Sequence, residues 1–301
     1  MKRFASVCIA AAASVLLLCG FAPAPERYET TEPVTTVQVK SLSGAVTVQG
    51  AETDRVTVEG AASFQEDYDI TVQEGVLTIA DKKIPQQKEP VNMRINLSEG
   101  TVTVIEKEAN QQEGAPAAVS AVEKTSKITK PHRSSPVTVT LPQKQYEALE
   151  IASIIGPVTL RDASANTVAA GSITGNVKLE NVQAGELEMG SITGALYAAD
   201  SSAKSLEGGN ILRRIRLDRV SANRIELGSQ IGRIDLNQVA TDECRCASVL
   251  GSIRGRFLGD RADYLVDARG FFNLFISDVP PCTKSIEFST MFGGVSVNFE
   301  N

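Results

Sequence analysis

The chain repeats itself. GSITGNVKL begins at Gly171, GSITGALYA at Gly190 and a weaker GSQIGRIDL at Gly228. From 171 to 190 is 19 residues, and Gly209, opening GNILRRIRL, lies one such step from each neighbour. ASIIGPVTL at Ala152 stands one step earlier, and the apolar pattern reaches back to Arg133. Going forward, the spacing gives one irregular step of 23 from Gly228 to Gly251, and Gly270 and Ser289 then fall at 19 again. A four-residue insertion is therefore expected between Val239 and Gly251. Units this short cannot each close a core, so they must share one by stacking.

Inside each unit the apolar positions alternate as strands do, with one face turned inward. Six and eight residues after the start stand Val139/Leu141, Val158/Leu160, Val177/Leu179, Ile215/Leu217 and Ile234/Leu236. At sixteen and eighteen stand Leu149/Ile151, Val168/Ala170, Leu187/Met189 and Ile225/Leu227, with Cys244 and Cys246 joining them if the insertion comes later. Asp162, Asn181 and Asp200 form one turn column and Gly156, Gly175, Gly194 and Gly232 another; both read as left-handed backbone positions. The fold expected is all-β: a β-solenoid of about nine 19-residue coils with an N-terminal β-sheet cap. At the usual strand spacing it would be a rod about 40 Å long. Beyond 251 the alternation slips, and Tyr264, Val266 and Ala268 are the side chains expected to face in.

Four segments follow from this reading. Residues 1–24 carry Met1-Lys2-Arg3 and then an uncharged apolar run, the pattern of an export signal or of an uncleaved membrane anchor. Leu16-Leu17-Leu18-Cys19 offers a third route, lipidation at Cys19, although the motif has a small residue where Leu18 stands. Residues 25–105 read as short strands, in which Val46/Val48 and Val56/Val58 match both apolar pairs of a unit starting at Lys40. Residues 106–132 form a polar linker rich in Ala and Pro, and residues 133–301 are the repeat domain.

The chemistry the residues allow is narrow. The single histidine, His132, lies in the linker, which argues against a Ser-His-Asp or Cys-His nucleophile. Cys244 and Cys246 have one residue between them and no second pair to complete a zinc site, so no metal or cofactor is expected. Cys282 could bridge to Cys244 or Cys246. A net charge of −6 argues against nucleic acid. Paired carboxylates drawn from Asp162, Asp200, Asp218 and Asp235 would suit a polysaccharide-active enzyme, but so constant a step leaves little room for the loops that wall a cleft. Arginine is the feature that stands out. Counted from their unit starts, Arg214, Arg233 and Arg256 share position five, with Arg213 and Arg216 beside them. Such a column is a candidate stripe for an anionic cell-envelope polymer or for lipid headgroups. Glu188, Glu207 and Glu226 form an acidic column on the other strand.

Taken together, Ser43-Gly44, the strand Val137 to Pro142, the Gly171 and Gly190 turns and Phe292-Gly293-Gly294 resemble the bacterial adhesin-like β-strand-repeat family catalogued as domain of unknown function 4097. The resemblance implies an exported or membrane-associated protein with no established catalytic residues. The reading from sequence is thus an exported, surface-associated, adhesin-like protein that binds or scaffolds envelope components without catalysis. A polysaccharide-active β-helix enzyme and a membrane-anchored envelope-stress accessory protein are the alternatives.

Overall fold

The computed structural model describes residues 26–61, 64–84, 92–96, 101–105, 134–270, 274–276 and 282–300. The expected leader at 1–24 with Cys19, and the linker at 106–132 with His132, lie outside them. No helix among the described residues is long and apolar enough to cross a membrane.

The protein is all-β. The N-terminal strands are β1 (Glu26–Thr30), β2 (Thr36–Ser43), β3 (Val46–Ala51) and β4 (Val56–Gly60). A single helical turn, α1 (Phe64–Asp67), leads into β5 (Tyr68–Gln73) and β6 (Val76–Asp81). A separate hairpin pairs β7 (Asn92–Asn96) with β8 (Thr101–Ile105). The repeat region opens with β9 (Val137–Pro142), β10 (Gln145–Ile155), β11 (Val158–Ser172) and β12 (Val177–Ser191). It continues through β13 (Leu196–Ala199), β14 (Ser202–Asn210), β15 (Ile215–Asp218), β16 (Ser221–Ile231) and β17 (Ile234–Leu250). The last strands are β18 (Ile253–Leu258), β19 (Tyr264–Arg269), β20 (Leu274–Ile276), β21 (Lys284–Phe292) and β22 (Val295–Glu300).

The 19-residue period is the register of parallel pairing. Val158, Val177, Leu196, Ile215, Ile234 and Ile253 face one another in turn and make a first ladder. Leu149, Val168, Leu187, Leu206, Ile225 and Cys244 make a second ladder, half a unit later. Both ladders turn their apolar columns into one continuous buried cluster. Burying a Val, Leu or Ile there contributes about 1.5–3 kcal/mol each before chain entropy is set against it.

Three expectations need correction. First, no insertion interrupts the chain between Val239 and Gly251. Gly228 pairs with Ala247, at 19, and Gly251 sits beside Gly232 as the closing glycine of the turn. The extra residues come later: Ala247 pairs with Ser289, 42 residues on, and β21 lies between β17 and β19. Tyr264, Val266 and Ala268 do face inward there.

Second, the N-terminal strands are woven into the stack. On the first ladder β3 sits between β9 and β11, so Val139 never meets Val158; on the second, β2 flanks β10. Val56 and Val58 are buried, but β4 runs antiparallel to β9 and contributes nothing to the second ladder.

Third, the two turn columns have different causes. Asp162, Asn181 and Asp200 adopt φ of 51–53°, as the sequence suggests, and Arg219 and Gln238 continue the column at 53°. In the glycine column Gly156 has a positive φ of 150°, but at the later members closeness is the cause: a Cβ on Gly175 would lie 1.8 Å from the Gly156 carbonyl oxygen, and one on Gly194 1.8 Å from that of Gly175. The turn serines at 172 and 191 exploit the approach, whereas Ser229 donates to Asn210 Oδ1 of the preceding coil (2.8 Å). The Ser172 hydroxyl donates to the Gly156 carbonyl of the preceding coil (2.8 Å) and accepts from Gly175 N–H (2.8 Å). Ser191 repeats both bonds at 3.0 and 2.8 Å, and Ser248 and Thr290 repeat the bond to the preceding coil.

Candidate functional site

Between the inward positions of the first ladder one side chain per coil points outward. Lys178, Tyr197, Arg216, Asp235, Arg254 and Ser296 follow one another in direct register. Lys178 Nζ and Arg216 Cζ stand 5.7 and 5.9 Å from the centroid of the Tyr197 ring, so a cation from each neighbouring coil lies against its π-system. Asp235 places a carboxylate between Arg216 and Arg254, with Arg214 Nε 3.6 Å away. Arg216 also reaches Asp218, at 3.3 Å. A shallow depression of about 280 Å³ opens here, lined by Arg216, Asp235, Arg254, Arg256, Ser296 and Asn298.

The predicted stripe is rearranged rather than reproduced. Arg214 and Arg233 do stand one coil apart, linked where Ile215 N–H donates to the Arg233 carbonyl. Arg256 is not the next member. Ser252 takes that place, because the unit begins at Ala247 and not at Gly251. Arg256 lies in β18 instead, where its guanidinium meets Asn237 (3.1 Å) and Glu300 (3.1 Å). Arg213 is exposed at the turn between the ladders. Sequence reasoning missed Lys178 and Tyr197 and left Arg254 out of the stripe. The signal for Arg254 was present: ASVLG at 247 matches ASIIG at 152, and that register puts Arg254 one step beyond Asp235. Arg213, Arg233 and Arg254 make no ion pair with any described residue.

The aspartates considered for catalysis are each tied up. Asn181 donates to Asp162 (2.7 Å), and Arg219 grips Asp200 with two bonds of 2.6 and 2.8 Å. That hydrogen bonding holds the Asp200 carboxyl below its ordinary pKa and pushes the Arg219 guanidinium up. Asp218 is buried beneath Arg216, Arg219 and Asn237. Each of these aspartates, with Asp235 beside Arg214, is thus held by a neighbouring side chain.

On the second ladder Glu188, Glu207 and Glu226 stack in register as expected, and the column continues into Arg245 and Glu287. Glu226 is neutralised by Arg224 and by Arg245 (3.6 Å). Burial, and then the charge of Glu207, raise the pKa of Glu188 above its ordinary value. Cys244 and Cys246 are unbridged core thiols with sulfurs 3.7 Å apart, so the bridge from Cys282 to either of them is not formed. Burial pushes the Cys246 thiol up. The Cys282 thiol donates to the Ala262 carbonyl, at 3.7 Å. Among the described residues no cluster of three or more His, Cys, Asp or Glu is placed to hold a metal ion.

The family model described as Toastrack DUF4097 matches residues 65–269. A candidate adhesin of Bacteroides fragilis superposes with a TM-score of 0.53 at 13% identity, covering 92% of this chain and 98% of that one. A candidate lipid-binding protein of Parabacteroides distasonis gives 0.47 at 11% identity, covering 92% and 97%. A search of the curated proteins finds no match. Identities this low speak for the fold alone.

Proposed function

The chain belongs to the Toastrack DUF4097 family, and on that footing we propose that it is an exported, surface-associated binding or scaffolding protein that holds an anionic envelope component through its arginine-rich first ladder. One observation carries the reading. Arg213, Arg214, Arg216, Arg233, Arg254 and Arg256 crowd the turns and first-ladder strands between 213 and 256, and three of them have no ion-pair partner among the described residues. Like charges in adjacent rows repel, so a chain gains by presenting them to a polyanion that supplies the missing counter-charge. The open depression around Asp235 suits a repeating carboxylate or phosphate that runs along the surface. It offers no walled cleft for excluding water from a reaction.

The test uses the protein from Glu26 onward, which contains every described strand and every described core residue. Its binding to polygalacturonate and to poly(glycerol phosphate) is measured at low and high salt, beside an Arg213/Arg233/Arg254→Glu variant. Salt-sensitive binding that is lost in the variant supports the reading. Equal behaviour of the two proteins removes the arginines from consideration.

A further inference from the structure

The described residues include ten large apolar side chains that are well exposed, and eight of them fall on two adjacent positions of the 19-residue unit. Position three carries Ile155, Leu212, Ile231, Leu250 and Phe292, with Thr174 and Thr193 completing the row. Position two adds Ile154, Val249 and Met291. Register and backbone bonds stack these residues directly: Ile231 faces Leu250, Leu250 faces Phe292, and Leu212 N–H donates to the Ile192 carbonyl. The result is an apolar ridge along one edge of the stack, where the second ladder turns into the first. It spans six coil steps of about 4.8 Å, roughly 29 Å.

Nothing in the core requires these side chains. The inward Ser or Asn that closes each turn sits just before them, and the inward columns are filled without them. These eight side chains, exposed between 37% and 60%, form a contact surface, since singly scattered apolar residues do not line up. What meets it is indicated by its flank. Arg213 directly follows Leu212, and Arg214 and Arg233 occupy the next position, so the first-ladder side of the ridge is basic. The acidic column of Glu188 and Glu207 lies on the opposite side, in the second ladder.

We propose that this ridge is a membrane-contact edge: its apolar side chains enter the interfacial layer of an anionic bilayer while Arg213, Arg214 and Arg233 take the headgroup phosphates. A hydrated polymer would gain from the arginines but not from the ridge. A second copy of the chain would gain from the ridge but would bring the same positive charge to it. A bilayer interface accepts both, because apolar insertion and attraction to anionic lipid add there. The inference rests on the reading of the arginines as an anion-binding face and names lipid as its source of anions.

The chain has no tryptophan, so an introduced one reports on its own surroundings. In the protein from Glu26 onward, Leu212→Trp places the probe on the ridge and Thr167→Trp places it on the exposed second-ladder face. Vesicles of phosphatidylcholine with and without about a third phosphatidylglycerol are added. A blue shift and bromolipid quenching for Leu212→Trp with the anionic vesicles, and neither for Thr167→Trp, is the expected result. A Leu212/Ile231/Leu250→Ser variant should lose vesicle binding by about tenfold or more and keep binding to poly(glycerol phosphate). If wild type binds the soluble polymer but not vesicles, the proposal fails and the arginine reading survives; if it binds neither, both fail. Vesicle binding without the spectral shift, or a wild-type dimer in light scattering that the serine variant abolishes, also overturns it, the latter in favour of a second copy.

Discussion

Gly171→Ala and Gly175→Ala make the same substitution at the two ends of one GSITG turn, and the structure assigns them opposite outcomes. A Cβ at Gly171 would meet only the Gly190 carbonyl oxygen, at 3.8 Å, an ordinary contact. Its effect is then mainly on the unfolded chain, whose freedom falls, giving neutrality or a gain of about 0.4–1 kcal/mol. At Gly175 the Cβ would lie 1.8 Å from the Gly156 carbonyl oxygen, 2.2 Å from its carbon and 2.7 Å from Pro157 N. All three are backbone atoms of the preceding coil, so no rotamer change relieves the clash. Reaching the 3.4 Å of ordinary contact requires the turn to move by about 1.6 Å, the difference between 3.4 and 1.8. That displacement also breaks the two 2.8 Å bonds of Ser172. Overpacking at about 1–3 kcal/mol and two hydrogen bonds at about 0.5–1.5 kcal/mol each give a loss of about 2–6 kcal/mol. Urea unfolding followed by far-ultraviolet circular dichroism compares both variants with the parent. Two variants within about 0.5 kcal/mol of each other would refute the closeness argument.

Two further predictions concern pH. Burial works against the Asp67 carboxylate, but Lys83 and the Ser135 N–H and hydroxyl together hold its pKa below the usual 3.8. The stability this supplies is fully present above pH 3.8 and is lost as pH falls through the lowered value, so Asp67→Asn should flatten the drop in urea midpoint between neutral pH and about pH 3. Glu188 is the mirror case: its raised pKa means the folded state disfavours the charged form, a cost absent below 4.5 and complete once pH exceeds the raised value. Glu188→Gln should therefore raise the urea midpoint at neutral pH and leave it unchanged below about pH 4; an equal rise at both pH values would contradict the charge-based account.

The strands were legible in the sequence because their inward columns obey one spacing: Val158 to Ile253 and Leu149 to Cys244 each recur at a single constant step. Arg256 was misplaced because GSIRG at Gly251 looks like a turn opening when its glycine is the tail of ASVLG, and serine is the second residue in both frames. The interleaving at the ends was hidden for a different reason. Val46 facing Val158, and Cys244 facing Ile286, are alignments between distant segments that a constant local step does not encode. The ridge escapes such a reading because a repeat is recognised by its recurring inward positions. Ile154 and Ile155 are outward only once the ladders are known.

Interleaved ends change how such a stack assembles. In an open array each unit touches only its sequence neighbours, so terminal units can melt singly and copies can be added at the tips. Here Thr36 pairs early with Val76 but waits for Ala148 to join the second ladder, and Val46 waits for Val137 on one side and Val158 on the other. At the far end β17 receives β21 only after β18, β19 and β20 have been made. The N-terminal strands thus enter the stack only once β9, β10 and β11 exist, so closing that loop is a late and slow event. Tandem duplication at either tip would separate partners that have to meet. Duplication within 158–250, where neighbours in sequence are neighbours in space, would lengthen the stack without disturbing either interleaved end.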